Sequence, residues 1–194
     1  MTTTPSILLG VVIALSALHM VAPDHWVPLT VTSHRNQLTK SRTYLLAFAI
    51  GMGHGVSSAA LSLVIALVGS LFFPAYYVTL FAVVILLVIA SYILVKAARE
   101  SKAGTKVGSV SMVVSVIPDP ALVPFILVAN GFGAAYTFAV LVGFIAAAVA
   151  SLVLVTFLAT MGLSKALSKV RPQYVDYLVA LALAMVAVFI YIYG

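Results

Sequence analysis

With 194 residues, 64% of them hydrophobic and 7% charged, the chain has too much apolar surface for a water-soluble core and far less charge than the roughly 25% of an average soluble domain. Its net charge of +6 lies in short clusters between apolar runs and not along an amphipathic face, so the basic residues read as topology signals and no nucleic-acid partner is expected. The absence of cysteine excludes disulfides, thiolate metal sites and dithiol redox relays.

Apolar runs fall at about 6–32, 44–70, 75–95, 108–130, 134–161 and 174–193, each long enough to cross a hydrocarbon core of about 30 Å as a helix. None shows the short alternating segments of a β-barrel. The chain is therefore expected to be an all-α polytopic membrane protein, a single transmembrane domain over 1–194 whose first partner is the lipid bilayer. The segment before the first run has no positive n-region, so that run is expected to stay in the protein as a span. Every Lys and Arg falls in alternate connections: Arg35, Lys40 and Arg42; then Lys96, Arg99, Lys102 and Lys106; then Lys165, Lys169 and Arg171. The connections near Phe73-Pro74 and Asn130-Gly131 have none. By the positive-inside rule this alternation predicts six transmembrane helices in the cell membrane with both termini outside.

Three spans per half would invert the second half relative to the first, an architecture of many secondary transporters. The expected repeats run over about 5–95 and about 107–193. Pro23-Asp24-His25 followed by Pro28 lies in the first span of one half, and Pro118-Asp119-Pro120 followed by Pro124 in the first span of the other. The next spans both open with Tyr and place Gly seven residues on, as Tyr44 with Gly51 and Tyr136 with Gly143. Helices 1 and 4 are accordingly expected to be broken.

Ionisable side chains inside a bilayer cost a few kcal/mol or more by insertion scales, so they tend to face a cavity or pathway. Here His19, Asp24, His25, His54 and Asp119 all fall inside apolar runs. On an unbroken helix His19 and His25 would point about 120° apart. Pro23 removes a backbone donor and disfavours helix at Ala22, so a break there can re-aim Asp24 and His25, and unwound backbone that lines a cavity is tolerated at membrane depth. Neutral imidazole with carboxylate suits Ni, Co, Zn or Fe, and the lack of Cys argues against a Cu(I) site. Two other readings use the same residues: capping and packing at a kinked span end, and a proton relay.

His54, Ser58 and Ser62 follow i, i+4 spacing, with Ser57 beside them, and Ser111, Ser115 and Asp119 repeat it in the fourth run. These stripes make Asp119, Ser58, Ser62 and Ser115 candidate pathway residues. Gly51-x-x-x-Gly55 is a helix-packing pattern, and Asp176 is read as a charge at a helix N-terminus.

The spacing His-x-x-x-x-Asp-His, filled by His19, Asp24 and His25, resembles the signature of the nickel/cobalt transporter families and the related urease-accessory-type permeases. The segment from Phe48 through His54 to Ser58 resembles their second, Gly-His-Ser motif, and Pro118-Asp119-Pro120 is similar to a twin-proline element of the wider superfamily, which includes amino-acid exporters and thiol-redox membrane proteins. The resemblance covers about the first third of the chain, and the Asp-Thr-Ala-Thr-Glu segment of the longer nickel permeases is missing. It implies coordination of a divalent metal ion by His19, Asp24 and His25, with His54 nearby, the ion being the transported substrate.

The expected function is transport of a divalent transition-metal ion, with nickel or cobalt ahead of zinc, iron and manganese, by a protein that is not an enzyme and that is free to form a homo-oligomer. The alternative is an exporter of a small organic solute in which the His/Asp motif couples protons. A redox carrier conflicts with the absence of Cys. A metalloprotease conflicts with the absence of His-Glu-x-x-His.

Overall fold

The computed structural model describes residues 3–72, 74–103, 118–163 and 172–193, and every regular element among them is helical. In chain order these are α1 (Thr3–Val21), α2 (Pro23–Arg35), α3 (Lys40–Phe72), α4 (Ala75–Ala103), α5 (Leu122–Asn130), α6 (Ala134–Leu158) and α7 (Pro172–Tyr193). A π turn, Ala159–Leu163, extends α6.

Three helices contain stretches long and apolar enough to cross a membrane: Lys40–Gly69, Leu80–Arg99 and Ala134–Gly162. A fourth forms if α1 and α2, which meet at a bend of 41°, are one span. The apolar part of α7, Asp176–Ile192, spans only about 25 Å at 1.5 Å per residue. Of the run at 108–130 the described helix is α5, because 104–117, with Ser111 and Ser115, lie outside the described residues. Among its described residues the chain is thus all-helical, with three to four helices long and apolar enough to span a membrane, which is compatible with a multi-pass membrane protein.

The burial pattern suits lipid as solvent. Large side chains such as Leu61, Val64, Leu67, Val88, Leu154, Leu181 and Val188 face outward, while alanines fill the seams. Ala90 and Ala97 on α4 and Ala180 and Ala187 on α7 are all buried and spaced by seven, which lets α4 and α7 pack closely over most of their length. One margin of this pair has an ion pair, Lys96 Nζ to Asp176 Oδ2 at 3.8 Å. The sequence had placed Lys96 beyond the third run, but α4 continues through it to Ala103, because Lys, Ala, Arg and Glu are good helix formers outside lipid.

Side-chain pairs set the helix directions. A methyl group built at Gly51 would lie 3.0 Å from the Val149 Cα, and one at Gly55 3.2 Å from the Ile145 Cα, so α3 and α6 run antiparallel at close range. Tyr136 donates to the Pro5 carbonyl and Ser16 Oγ to the Phe144 carbonyl, so α1 and α6 run parallel. Ser58 meets Asp119, and a methyl at Gly69 would meet Leu127, so α3 and α5 also run parallel.

Candidate metal centre

The first helix breaks where the sequence places Pro23. Ala22 has φ −58° and ψ 138°, the extended conformation that a following proline imposes. In an unbroken helix the His19 carbonyl would accept from residue 23, which has no N–H; it accepts from Ala22 instead, at 3.1 Å. The His25 N–H, which would serve the Val21 carbonyl in an unbroken helix, bonds to the Ala22 carbonyl at 3.2 Å, and the buried Trp26 indole N–H bonds to the Val21 carbonyl in its place at 3.1 Å. This local geometry swings His25 back toward His19. Their Nε2 atoms lie 3.1 Å apart and their ring centroids 4.7 Å apart.

His54 completes an imidazole triangle from α3. Its ring centroid is 5.6 Å from that of His19 and 5.4 Å from that of His25, and it also stacks on Phe144 at 6.4 Å. His54 is the fifteenth residue of the thirty-residue apolar stretch Lys40–Gly69, so the triangle lies beside the middle of that stretch. His25 and His54 are buried, and His19 is partly buried.

Asp119 reaches the same place from the turn before α5. Ligand atoms of His19, His54 and Asp119 all lie within 4.8 Å of one another. The Asp119 Oδ1 accepts the Ala121 N–H at 2.8 Å, which fixes the carboxylate against its own turn. Ser58 Oγ donates to the His54 carbonyl at 2.7 Å and accepts the Asp119 N–H at 2.8 Å. Beside His19 and Asp119 is a cavity of about 20 Å³, bounded by Ser16, Leu122, Phe125 and Phe144. That volume admits one water-sized particle.

Two nitrogens 3.1 Å apart match neighbouring ligands on one ion, since metal–nitrogen bonds of about 2.0–2.1 Å at right or tetrahedral angles give about 2.8–3.4 Å. Three imidazoles and a carboxylate suit a borderline divalent ion. The structure brings together the ligand atoms of His19, His54 and Asp119, with His25 packed against the imidazoles of His19 and His54. Asp24 lies in the first turn of α2, but its side chain is outside the described part of the structure, as is Ser115. Ser58 joins the site through its hydroxyl. Ser62, one turn further along α3, is fully buried, and its hydroxyl has no hydrogen-bond partner among the described residues.

Sequence reasoning missed Ser16, Trp26 and Phe144. Ser16 lies one turn before His19, and that spacing was a usable signal. Trp26 is the only tryptophan and follows His25 directly. Phe144 is one of many apolar residues on α6, and no local pattern distinguishes it.

Compared with known proteins, the chain matches no protein-family model, and neither a curated protein nor a solved structure is found to be similar to it. The likeness to the nickel/cobalt permeases rests on the motif residues alone.

Proposed function

We propose that this chain is a transporter of divalent transition-metal ions, nickel or cobalt foremost, which binds the ion near mid-membrane. The observation that carries the reading is the packing of His19, His25 and His54 against one another beside the Asp119 carboxylate, in an apolar protein where each such group is costly without a partner. The proline break supports it, because paired helix interruptions at the midplane are how many secondary transporters build their sites. The cavity of about 20 Å³ favours a bare ion over the alternative cargo, a small organic solute. The likeness of His19, Asp24, His25 and the Gly-His-Ser segment to the nickel/cobalt permeases favours it as well.

The full architecture proposed is six spans in two inverted three-helix repeats, in the cell membrane, with both termini outside. The helix directions support this. From the Pro74 turn α4 runs about 43 Å at 1.5 Å per residue, while α5 starts at the depth of Ser58 and heads for the same end as α3. On this reading α5 heads for the same end as α3 before α6 runs back antiparallel to them.

The test is titration of Ni²⁺, Co²⁺, Zn²⁺ and Mn²⁺ into purified protein, followed by ion flux into proteoliposomes. Wild type should bind one ion and carry it, and the His19→Ala/His25→Ala double variant should do neither. Equal binding by the two proteins would falsify the assignment, and solute flux without ion binding would favour the exporter alternative.

A further inference from the structure

We infer that Asp119, from the second half of the chain, is a ligand of the same ion as His19 and His54, and that Ser58 is the residue that positions it. This rests on the metal-transport reading and goes beyond the pathway role that the sequence suggested for Asp119. Its carboxylate stands within 4.8 Å of both imidazoles, whereas a purely electrostatic partner could act from farther away. The carboxylate is also held in place: Ala121 N–H takes one acceptor site on Oδ1, and the roughly three acceptor sites that remain suffice for a metal bond.

Ser58 makes the placement specific. Its hydroxyl is fully buried and bonds to the backbones of both His54 and Asp119, so one side chain sets the spacing between a ligand of the first half and a ligand of the second. Ligand atoms on one ion stand about 4.2 Å apart or less at bond lengths near 2.1 Å, and those of His19, His54 and Asp119 lie within 4.8 Å of one another, close to that spacing. Loss of the Asp119 side chain would leave the ion without its only described carboxylate. Carboxylate oxygen suits harder ions better than imidazole does, so Asp119 also shapes the order of metal preference.

The test is calorimetric titration of Ni²⁺, Co²⁺ and Mn²⁺ into wild type and into Asp119→Asn, Asp119→Glu, Ser58→Ala and His54→Ala, with the absorption spectrum of bound Co²⁺ recorded for each. Asp119→Asn should bind at least about 100-fold more weakly, with a larger loss for Mn²⁺ than for Ni²⁺, and Asp119→Glu should recover part of it. Ser58→Ala should lose about 10-fold, as for residues that orient a ligand, and should change the Co²⁺ spectrum, which a merely structural role would leave alone. If Asp119→Asn and Asp119→Glu both keep wild-type affinity and metal order while His54→Ala loses binding, this inference falls and the transport reading stands. If wild type binds none of the three ions, both fall.

Discussion

The Ser58 hydroxyl accepts the Asp119 backbone N–H at 2.8 Å, joining residues 61 positions apart through a group with no exposure to solvent. The same hydroxyl donates to the His54 carbonyl at 2.7 Å, so the turn carrying the carboxylate and the helix carrying the imidazole share one buried anchor. A neutral hydrogen bond of this kind contributes on the order of 1 kcal/mol to stability. Its larger effect is on the placement of ligands.

The break at Pro23 should matter more for binding than for folding. In a Pro23→Ala variant residue 23 regains its N–H, the His19 carbonyl recovers a helical partner, and His25 rotates away from His19. Metal affinity should fall by about 10–100-fold, the range for a ligand that has lost its orientation, while the thermal midpoint stays level or rises. Unchanged affinity in Pro23→Ala would mean that the kink does not set the His19–His25 spacing.

Trp26 offers a direct readout. It is the only tryptophan, it is buried, and it follows His25 in the chain. Ni²⁺ and Co²⁺ should quench its fluorescence in a saturable way with the same midpoint as calorimetry, and the quenching should vanish in His25→Ala. Trp26→Phe, which leaves the Val21 carbonyl without its indole donor, should cost about 1 kcal/mol in stability.

The α3–α6 seam predicts a contrast among glycine substitutions. At Gly51 an added methyl would lie 3.0 Å from backbone, and at Gly55 3.2 Å, whereas at Gly10 nothing lies within 4 Å. Gly51→Ala and Gly55→Ala should each destabilise by about 1–3 kcal/mol, the usual range for overpacking, while Gly10→Ala should be neutral or slightly stabilising. Thermal melts in detergent measure all three, and a tolerant Gly51→Ala would show that the seam has slack.

Orientation can be checked by labelling, because the chain has no cysteine of its own. Single cysteines at Thr39 and Pro74, both exposed, should react from opposite faces of the membrane: Thr39 from the cytoplasm and Pro74 from outside. Reaction of both from one side would overturn the topology.

Much of this was legible in the sequence, for identifiable reasons. Apolar runs separated by alternating basic connections account for the long helices, and Pro23 among His19, Asp24 and His25 marks the break, because proline chemistry is local. The i, i+4 stripe of His54, Ser58 and Ser62 correctly gives one face of α3 but says nothing about which helix that face meets. Ser58 shows the gap: periodicity makes it a lining hydroxyl, and only the fold brings the Asp119 turn to it. The reach of α4 past Lys96 was hidden because charge marks the end of an apolar run and not the end of a helix. Phe144 and the α1–α6 link through Ser16 arise from packing between distant segments.

The seam at Gly51 and Gly55 has one further consequence. With backbone against backbone, α3 and α6 cannot slide past each other by a residue without driving a side chain into the opposite helix, so together they form a fixed post that carries His54. By contrast, α1 and the Asp119 turn are tied to the post through hydroxyl groups, α1 by bonds from Ser16 to the Phe144 carbonyl and from Tyr136 to the Pro5 carbonyl, and the turn by the bond from the Asp119 N–H to Ser58. On the transport reading these are the jaws of the clamp: His19 and His25 close from one side and Asp119 from the other onto an imidazole that stays still. Cross-linking α3 to α6 should then leave transport intact, and cross-linking the Asp119 turn to α3 should arrest it with the ion inside.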